Sequence, residues 1–332
     1  MKKPVMAALP PWTWSFMAAG LVFGLTVMVS GGSGMQTLTL ALTVAPYLVL
    51  VGLGQMLVMS TGPGNIDVSV AKVFSLGGLL SVAVSEATGS WLLGLSAALA
   101  SGLALAAISV IGILLIRIPP IVATLATSLI ASAMSLTLAK GFQGSADPVL
   151  NSFLNFAPFG VPAFAVAVLI LTIFMSFMLT STTWGMRMLA FGQAARAAEY
   201  AGIRSRNIIA VVYLTCGALA GLAGALRAAF SAPNVELGND YLLDSIAVVV
   251  IGGTLITGGR AVPAGVWGGA LFFILLDGLL NLIGWSYAGQ NVLKGFLVLS
   301  VLFLASGAPL LVPRAPKASA KADAPTSPPK TD

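Results

Sequence analysis

Long apolar runs, cut by short polar or glycine-rich stretches, set the pattern of this chain. No Asp, Glu, Lys or Arg occurs in residues 4–66, 87–116, 148–186 or 295–313. A bilayer core is crossed by roughly 20 apolar residues, and each run is about that long or longer. Glycine, proline and charge divide the apolar mass into ten segments: 12–30, 38–60, 70–85, 91–116, 121–140, 162–180, 208–230, 243–255, 264–283 and 292–312. Gly31-Gly32-Ser33-Gly34 closes the first, Arg117-Ile118-Pro119-Pro120 the fourth, and Thr257-Gly258-Gly259-Arg260 turns the chain into the ninth. Residues 141–161 read as a longer loop, and residues 313–332, rich in Ala, Pro and Lys, as a disordered cytoplasmic tail. The expected architecture is an all-α integral membrane protein of about ten transmembrane helices, with residues 1–312 as one polytopic domain. The first segment follows Met1-Lys2-Lys3 without a clean small-residue cleavage site, and reads as an uncleaved helix.

Composition sharpens this picture. Charged residues are 8% of the 332 and hydrophobic residues 58%, whereas a soluble domain carries roughly 25% charge. The net charge of +6 then reads as topology. With the N-terminus inside, the cytoplasmic group is Lys2, Lys3, Lys72, Arg117, Arg187, Arg196, Arg204, Arg206, Arg260, Arg314, Lys317, Lys321 and Lys330, which is 13 of 16 basic residues. Only Lys140, Arg227 and Lys294 fall outside, together with Glu86, Asp147, Glu236 and Asp240. That bias is the positive-inside rule, and it places both termini in the cytoplasm. There is no His, which removes His-based catalysis and His-ligated zinc, and the single Cys216 cannot form an intrachain disulfide. Gly217 and Gly221, four apart in the seventh segment, read as a close helix contact, with a glycine hinge as the alternative.

Three stretches depart from plain apolar helix. In residues 61–69, Gly62, Pro63 and Gly64 cannot sustain a helix, and Asn65 or Asp67 can cap the next one. This is either a broken helix lining a cavity, with Asn65, Asp67 and Ser69 on it, or a plain cytoplasmic hairpin. Residues 192–203 form a short amphipathic helix within the cytoplasmic loop 182–207, with Arg196 and Glu199 one turn apart and Gly202 as its stop. It is either an ordinary surface helix or a docking helix built from Gly192, Gln193, Arg196, Glu199 and Gly202. In residues 238–260, Asp244 stands near the outer end of the eighth segment in a capping role, and Gly252 and Gly253 permit a bend or tight packing.

Together these stretches resemble the permease subunit of ribose-type ABC importers, a binding-protein-dependent transport family. Residues 61–69 are similar to its Ser/Thr-Gly-Gly-Ile-Asp-Leu-Ser stretch, with Gly-Pro-Gly-Asn inserted. Residues 192–203 are similar to Gly-Asn-x-x-Ala-Ala-Arg-x-Ala-Gly-Ile, with Gln193 for Asn. Residues 241–259 resemble Tyr-x-Leu-Asp-x-Ile-Ala-x-Val-Val-x-Gly-Gly-Thr followed by Gly-Gly. The resemblance spans roughly residues 36–305. It implies a pathway formed with a second copy or a related permease, two ATPase domains docked on the 192–203 helix, and a periplasmic sugar-binding protein outside. It implies an inner-membrane location and no role in binding nucleic acid. The chain has no Gly-x-x-x-x-Gly-Lys-Ser/Thr loop, so it is expected to bind no cofactor, with ATP held and hydrolysed by the partner.

Two other classes compete with the importer reading. A stand-alone ion-coupled secondary transporter would use a deep acid, and Asp277 is the clearest one. An intramembrane enzyme would need a pair such as Asp244 and Asp277. The uncharged polar groups Asn65, Ser69, Thr124, Thr127, Ser128 and Asn281 suit a neutral, hydroxyl-rich solute, although Ser and Thr also satisfy their own helix carbonyls. The sugar, and the choice between homodimer and related pair, are left open.

Overall fold

The computed structural model of the chain describes residues 10–32, 34–140, 144 and 148–305, and every regular element among them is helical. In order these are α1 Thr13–Val29, α2 Gly34–Met59, α3 Val70–Thr88, α4 Trp91–Ile111 with a π-helical extension Gly112–Ile116, α5 Pro120–Ala139, α6 Pro148–Asn155 and α7 Ala163–Ser181. Then follow α8 Thr183–Gln193, α9 Ala195–Tyr200, α10 Ser205–Phe230, α11 Asn239–Ile251, α12 Pro263–Leu282 and α13 Tyr287–Ala305. Each of the ten predicted segments overlaps one of the longer helices, although residues 306–312 of the tenth lie outside the described residues. Seven of these (α2, α3, α4 with its extension, α5, α7, α10 and α12) are long and apolar enough to cross a membrane. α1 is apolar but has 17 residues, and α11 has 13, about 20 Å of helix. The predicted 141–161 loop contains α6, which Asn151 ties to the end of α10 by donating to the Ala229 carbonyl at 2.7 Å. Lys2, Lys3, Asp147 and the expected disordered tail 313–332 lie outside the described residues.

The core forms around α2, whose residues from Ala45 to Met59 are all buried. α10 runs antiparallel beside it: Tyr47 lies under the Arg227 guanidinium, and a Cβ on Gly54 would stand 2.9 Å from the Cys216 Cα. Against the other side of α10, backbones touch. A Cβ on Gly102 would strike the Gly217 carbonyl, and one on Gly77 would come 2.5 Å from the Gly221 carbonyl. This is the close-packing reading of Gly217 and Gly221. Small residues let helix backbones gain dispersion contacts where lipid provides no hydrophobic drive between helices.

Residues 60–69 double back at the foot of α2. Ser60 ends the helix, yet seven residues later Asp67 lies beside Cys216, which packs against Gly54. α3 therefore starts inside the bundle rather than at its edge. One topological assignment changes as a result. Lys72, counted above with the cytoplasmic residues, donates from Nζ to Asn239 Oδ1 at 2.8 Å, beside the α10–α11 loop assigned to the outside. On the topology expected from the sequence, moving Lys72 changes the expected division to 12 to 4, which keeps the same bias.

Candidate coupling face and translocation elements

The three stretches singled out in the sequence meet at one end of the molecule. The Gly259 N–H donates to the Ser60 carbonyl at 2.8 Å, and Gln193 Nε2 donates to the Gly259 carbonyl at 3.3 Å. Gly192 packs so closely that a Cβ there would overlap the Ser60 carbonyl oxygen and lie 2.6 Å from the Gly259 nitrogen. A Cβ on Gly258 would lie 2.6 Å from the Gly62 Cα and 2.7 Å from the Gly192 carbonyl. The foot of α2, the end of α8 and the α11–α12 turn thus form one backbone-to-backbone joint. Backbone atoms in contact have no soft side chain between them, so movement of α8 passes directly to α2 and α12.

α9 projects from this joint. Ala198 faces inward, whereas Arg196, Glu199 and Tyr200 are exposed, Tyr200 to 92%. The helix ends as the sequence indicates: Gly202 adopts φ +82°, its N–H bonds to the Glu199 carbonyl, and the Ile203 N–H bonds to the Ala198 carbonyl. This pair of bonds satisfies the last carbonyls and needs a left-handed residue at Gly202. Its beginning differs from expectation. Gly192 and Gln193 close α8, and Ala194, at φ −155° and ψ 85°, separates them from α9. Alanine propensity favours an unbroken helix, but the contact of Gly192 with Ser60 and Gly259 fixes the end of α8 and turns the chain. Arg196 and Glu199 form no ion pair with each other, and neither has an ion-pair partner among the described residues.

The folded-back segment is a second cluster. Asp67 is buried, and its Oδ1 accepts from the Ser69 N–H at 2.9 Å and the Ser69 hydroxyl at 2.6 Å. Asn65 Nδ2 donates to Thr61 Oγ1 at 2.9 Å. Neither residue caps the first turn of α3; they hold the turn that precedes it. Thr124 of α5 accepts from the Val68 N–H at 3.1 Å, and Thr127 accepts from the Ser109 hydroxyl at 2.8 Å. The structure therefore brings Asn65, Asp67, Ser69, Thr124 and Thr127 together as an inward-bonded block joining α3, α4 and α5. Sequence reasoning missed Gln55 of α2 and Tyr213 of α10. Both are buried, and neither the Gln55 amide nor the Tyr213 hydroxyl has a protein partner among the described residues. The signal was Gln55 inside the uniformly apolar second half of α2; buried polar groups are nearly always satisfied, by water where not by protein.

The third cluster lies toward the opposite end. Lys294 Nζ of α13 stands 3.1 Å from Asp244 Oδ2 of α11 and 2.8 Å from Asp277 Oδ2 of α12. Asp244 is the sixth residue of α11 and does not cap it; the N-cap position is Gly238. Its carboxylate points inward because an ammonium sits there to meet it, and burying a charge unpaired would cost several kcal/mol. The same lysine separates the two acids proposed as an enzymatic pair, and it supplies Asp277 with a structural partner. Asn281 stands apart from the Asp67 block: its Oδ1 accepts from Gln290 Nε2 at 2.8 Å, and with Asp277 it lines a cavity of about 680 Å³. Gly252 and Gly253 act in packing. Gly265 could not carry a Cβ without striking the Gly252 carbonyl, and Gly253, at φ +90°, turns against Pro11.

Comparison with known proteins accounts for this arrangement. Residues 37–306 match the family described as branched-chain amino acid transport system / permease component. The ribose import permease protein RbsC of Escherichia coli K12 is 31% identical over 257 residues, covering 75% of this chain and 79% of its own length. The fructose import permease protein FruF of Bifidobacterium longum is 29% identical over 263 residues, covering 77% of this chain and 73% of its own. The autoinducer 2 import system permease protein LsrC of Escherichia coli O9:H4 is 32% identical over 279 residues, covering 80% and 78%. No solved structure matches the chain. A helical chain with seven apolar helices of spanning length, matched over residues 37–306, belongs to the branched-chain amino acid transport system / permease component family and is the multi-pass inner-membrane translocation subunit of a bacterial ABC importer.

Proposed function

We propose that this permease carries a sugar or sugar-like solute, delivered by a periplasmic binding protein and driven by two ATPase domains that dock on α9. The observation that carries the docking assignment is the joint: α9 stands exposed on a base where Gly192, Ser60 and Gly259 leave no compressible layer. Names among the relatives (ribose, fructose, autoinducer 2) support the substrate class. Ten crossings, both termini cytoplasmic, and a pathway completed by a second copy or a related permease complete the proposal. The folded-back segment, with Asn65, Asp67 and Ser69 backed by Thr124 and Thr127, shapes that pathway near its middle, and Asn281 lies toward its outer mouth. This chain holds no cofactor in the proposal; ATP is bound and hydrolysed by the partner.

Glu199→Arg tests the docking. An exposed pair within one helix contributes only about 0.2–0.5 kcal/mol, so folding should hardly change. A charge paired across an interface is worth about 2–5 kcal/mol when its mate is left alone. The expected result is a normally folded permease that loses co-purifying ATPase and substrate-stimulated ATP hydrolysis. Wild-type assembly and transport would demote Glu199 to a solvated charge.

A further inference from the structure

A recess beside α10 adjoins the end of α9 at Gly202 and Ile203, and its chemistry is that of an amphiphile's binding site. Trp184, Arg187, Arg204 and Asn207, with Ile203 and Ile208, line a cavity of about 300 Å³ of mixed polarity between the start of α8 and the start of α10. Both arginines are exposed, and neither has an ion-pair partner among the described residues. Trp184 is also the lower wall of an adjoining apolar groove of about 410 Å³ between α7 and α10, where Phe174 and Val211 are exposed. A second apolar groove of about 300 Å³ lies between α4 and α10. The two grooves share Val211, Thr215 and Leu219, one ridge of α10 at four-residue spacing.

A cationic mouth, an interfacial tryptophan, and two apolar channels divided by a ridge match one molecule with an anionic head and two chains. We propose that this recess holds an anionic phospholipid, its phosphate between Arg187 and Arg204 and its acyl chains on either side of Val211, Thr215 and Leu219. Basic pockets between helices on the cytoplasmic face bind anionic headgroups, and tryptophan concentrates at the level of those headgroups. A free anion would use the arginines but leave the grooves without a role. An acidic loop of a partner protein would do the same. Placing the lipid in the cytoplasmic leaflet rests on the topology proposed above, whereas binding itself does not. The site lies at the root of α8, so occupancy would brace the element that carries α9.

The test uses the full-length chain without ATPase, stripped of lipid in uncharged detergent. Phosphatidylglycerol, phosphatidylcholine or inorganic phosphate is then added, with retained lipid read by mass spectrometry and unfolding by tryptophan fluorescence. Phosphatidylglycerol should be retained at about one per chain and raise the midpoint, since a ligand of the folded state stabilises it. R187Q/R204Q should weaken retention at least about tenfold, because each surface-proximal cation contributes to anionic-lipid affinity. Val211→Trp, which fills the shared ridge and leaves both arginines in place, should also lose the lipid. Equal retention of the two lipids, or unchanged retention by R187Q/R204Q, would overturn the proposal. So would a midpoint shift produced by inorganic phosphate alone, or full lipid binding by Val211→Trp. None of these results depends on whether α9 docks an ATPase.

Discussion

Gly192→Ala puts a single methyl group into the joint on which the proposed coupling depends. The new Cβ would overlap the Ser60 carbonyl oxygen, lie 2.6 Å from the Gly259 nitrogen and 3.1 Å from its Cα. All three are backbone atoms, so relief requires the foot of α2 and the α11–α12 turn to separate. Overpacking of this kind costs about 1–3 kcal/mol. Losing the Gly259-to-Ser60 hydrogen bond adds about 0.5–1.5 kcal/mol. Alanine offsets up to about 1 kcal/mol through its better helix propensity at the end of α8. The expected net loss is therefore about 0.5–4.5 kcal/mol. It would appear as a lower midpoint in thermal unfolding of purified permease, and as ATP hydrolysis that no longer tracks transport. Gly24→Ala in α1 is the matched control, because nothing lies within 4 Å of its Cβ position. There, alanine should be neutral or stabilising by about 0.5–1 kcal/mol. A Gly192→Ala protein as stable and as well coupled as wild type would refute the rigid joint.

Two further outcomes follow from the same geometry. Cysteine at Ser205, which opens α10 beside the joint, should resist an impermeant thiol reagent in intact cells, whereas cysteine at exposed Asn239 should react; native Cys216, 1% exposed, adds little background. Labelling of both from outside would break the topology. Asp67→Ala removes the acceptor of two Ser69 bonds, a loss of about 1–3 kcal/mol for buried donors left unpaired. Uptake should fall while the assembled complex can still be purified, and unchanged uptake would return residues 61–69 to a plain hairpin.

The bilayer makes the helices legible, because it demands long uncharged runs and leaves polar residues for the loops. Helix ends were read less well where a local signal competes with a distant contact. Residues 243–255 were expected to form one helix, yet α11 starts earlier, at Asn239, and stops before Gly252, where close approach to Gly265 and the left-handed Gly253 end it. The break at Ala194 left no trace in propensity, because its cause lies in Ser60 and Gly259, far away along the chain. Lys294 likewise explains Asp244 from 50 residues away. The three motifs were each visible alone; that they touch could be known only from the fold. Gln55 and Tyr213 lie on different helices, so no spacing along the chain links them, and only the fold shows both buried without a partner among the described residues.

The most direct test of the central claim is solute uptake into proteoliposomes containing this chain, with ATPase, binding protein and internal or external ATP supplied separately. Uptake of a sugar or sugar-like solute should require all three components together with ATP on the ATPase side, and an imposed proton or sodium gradient across vesicles holding the chain alone should move nothing. Accumulation driven by an ion gradient through this chain alone would contradict the account and make Asp277 a coupling site rather than a partner of Lys294.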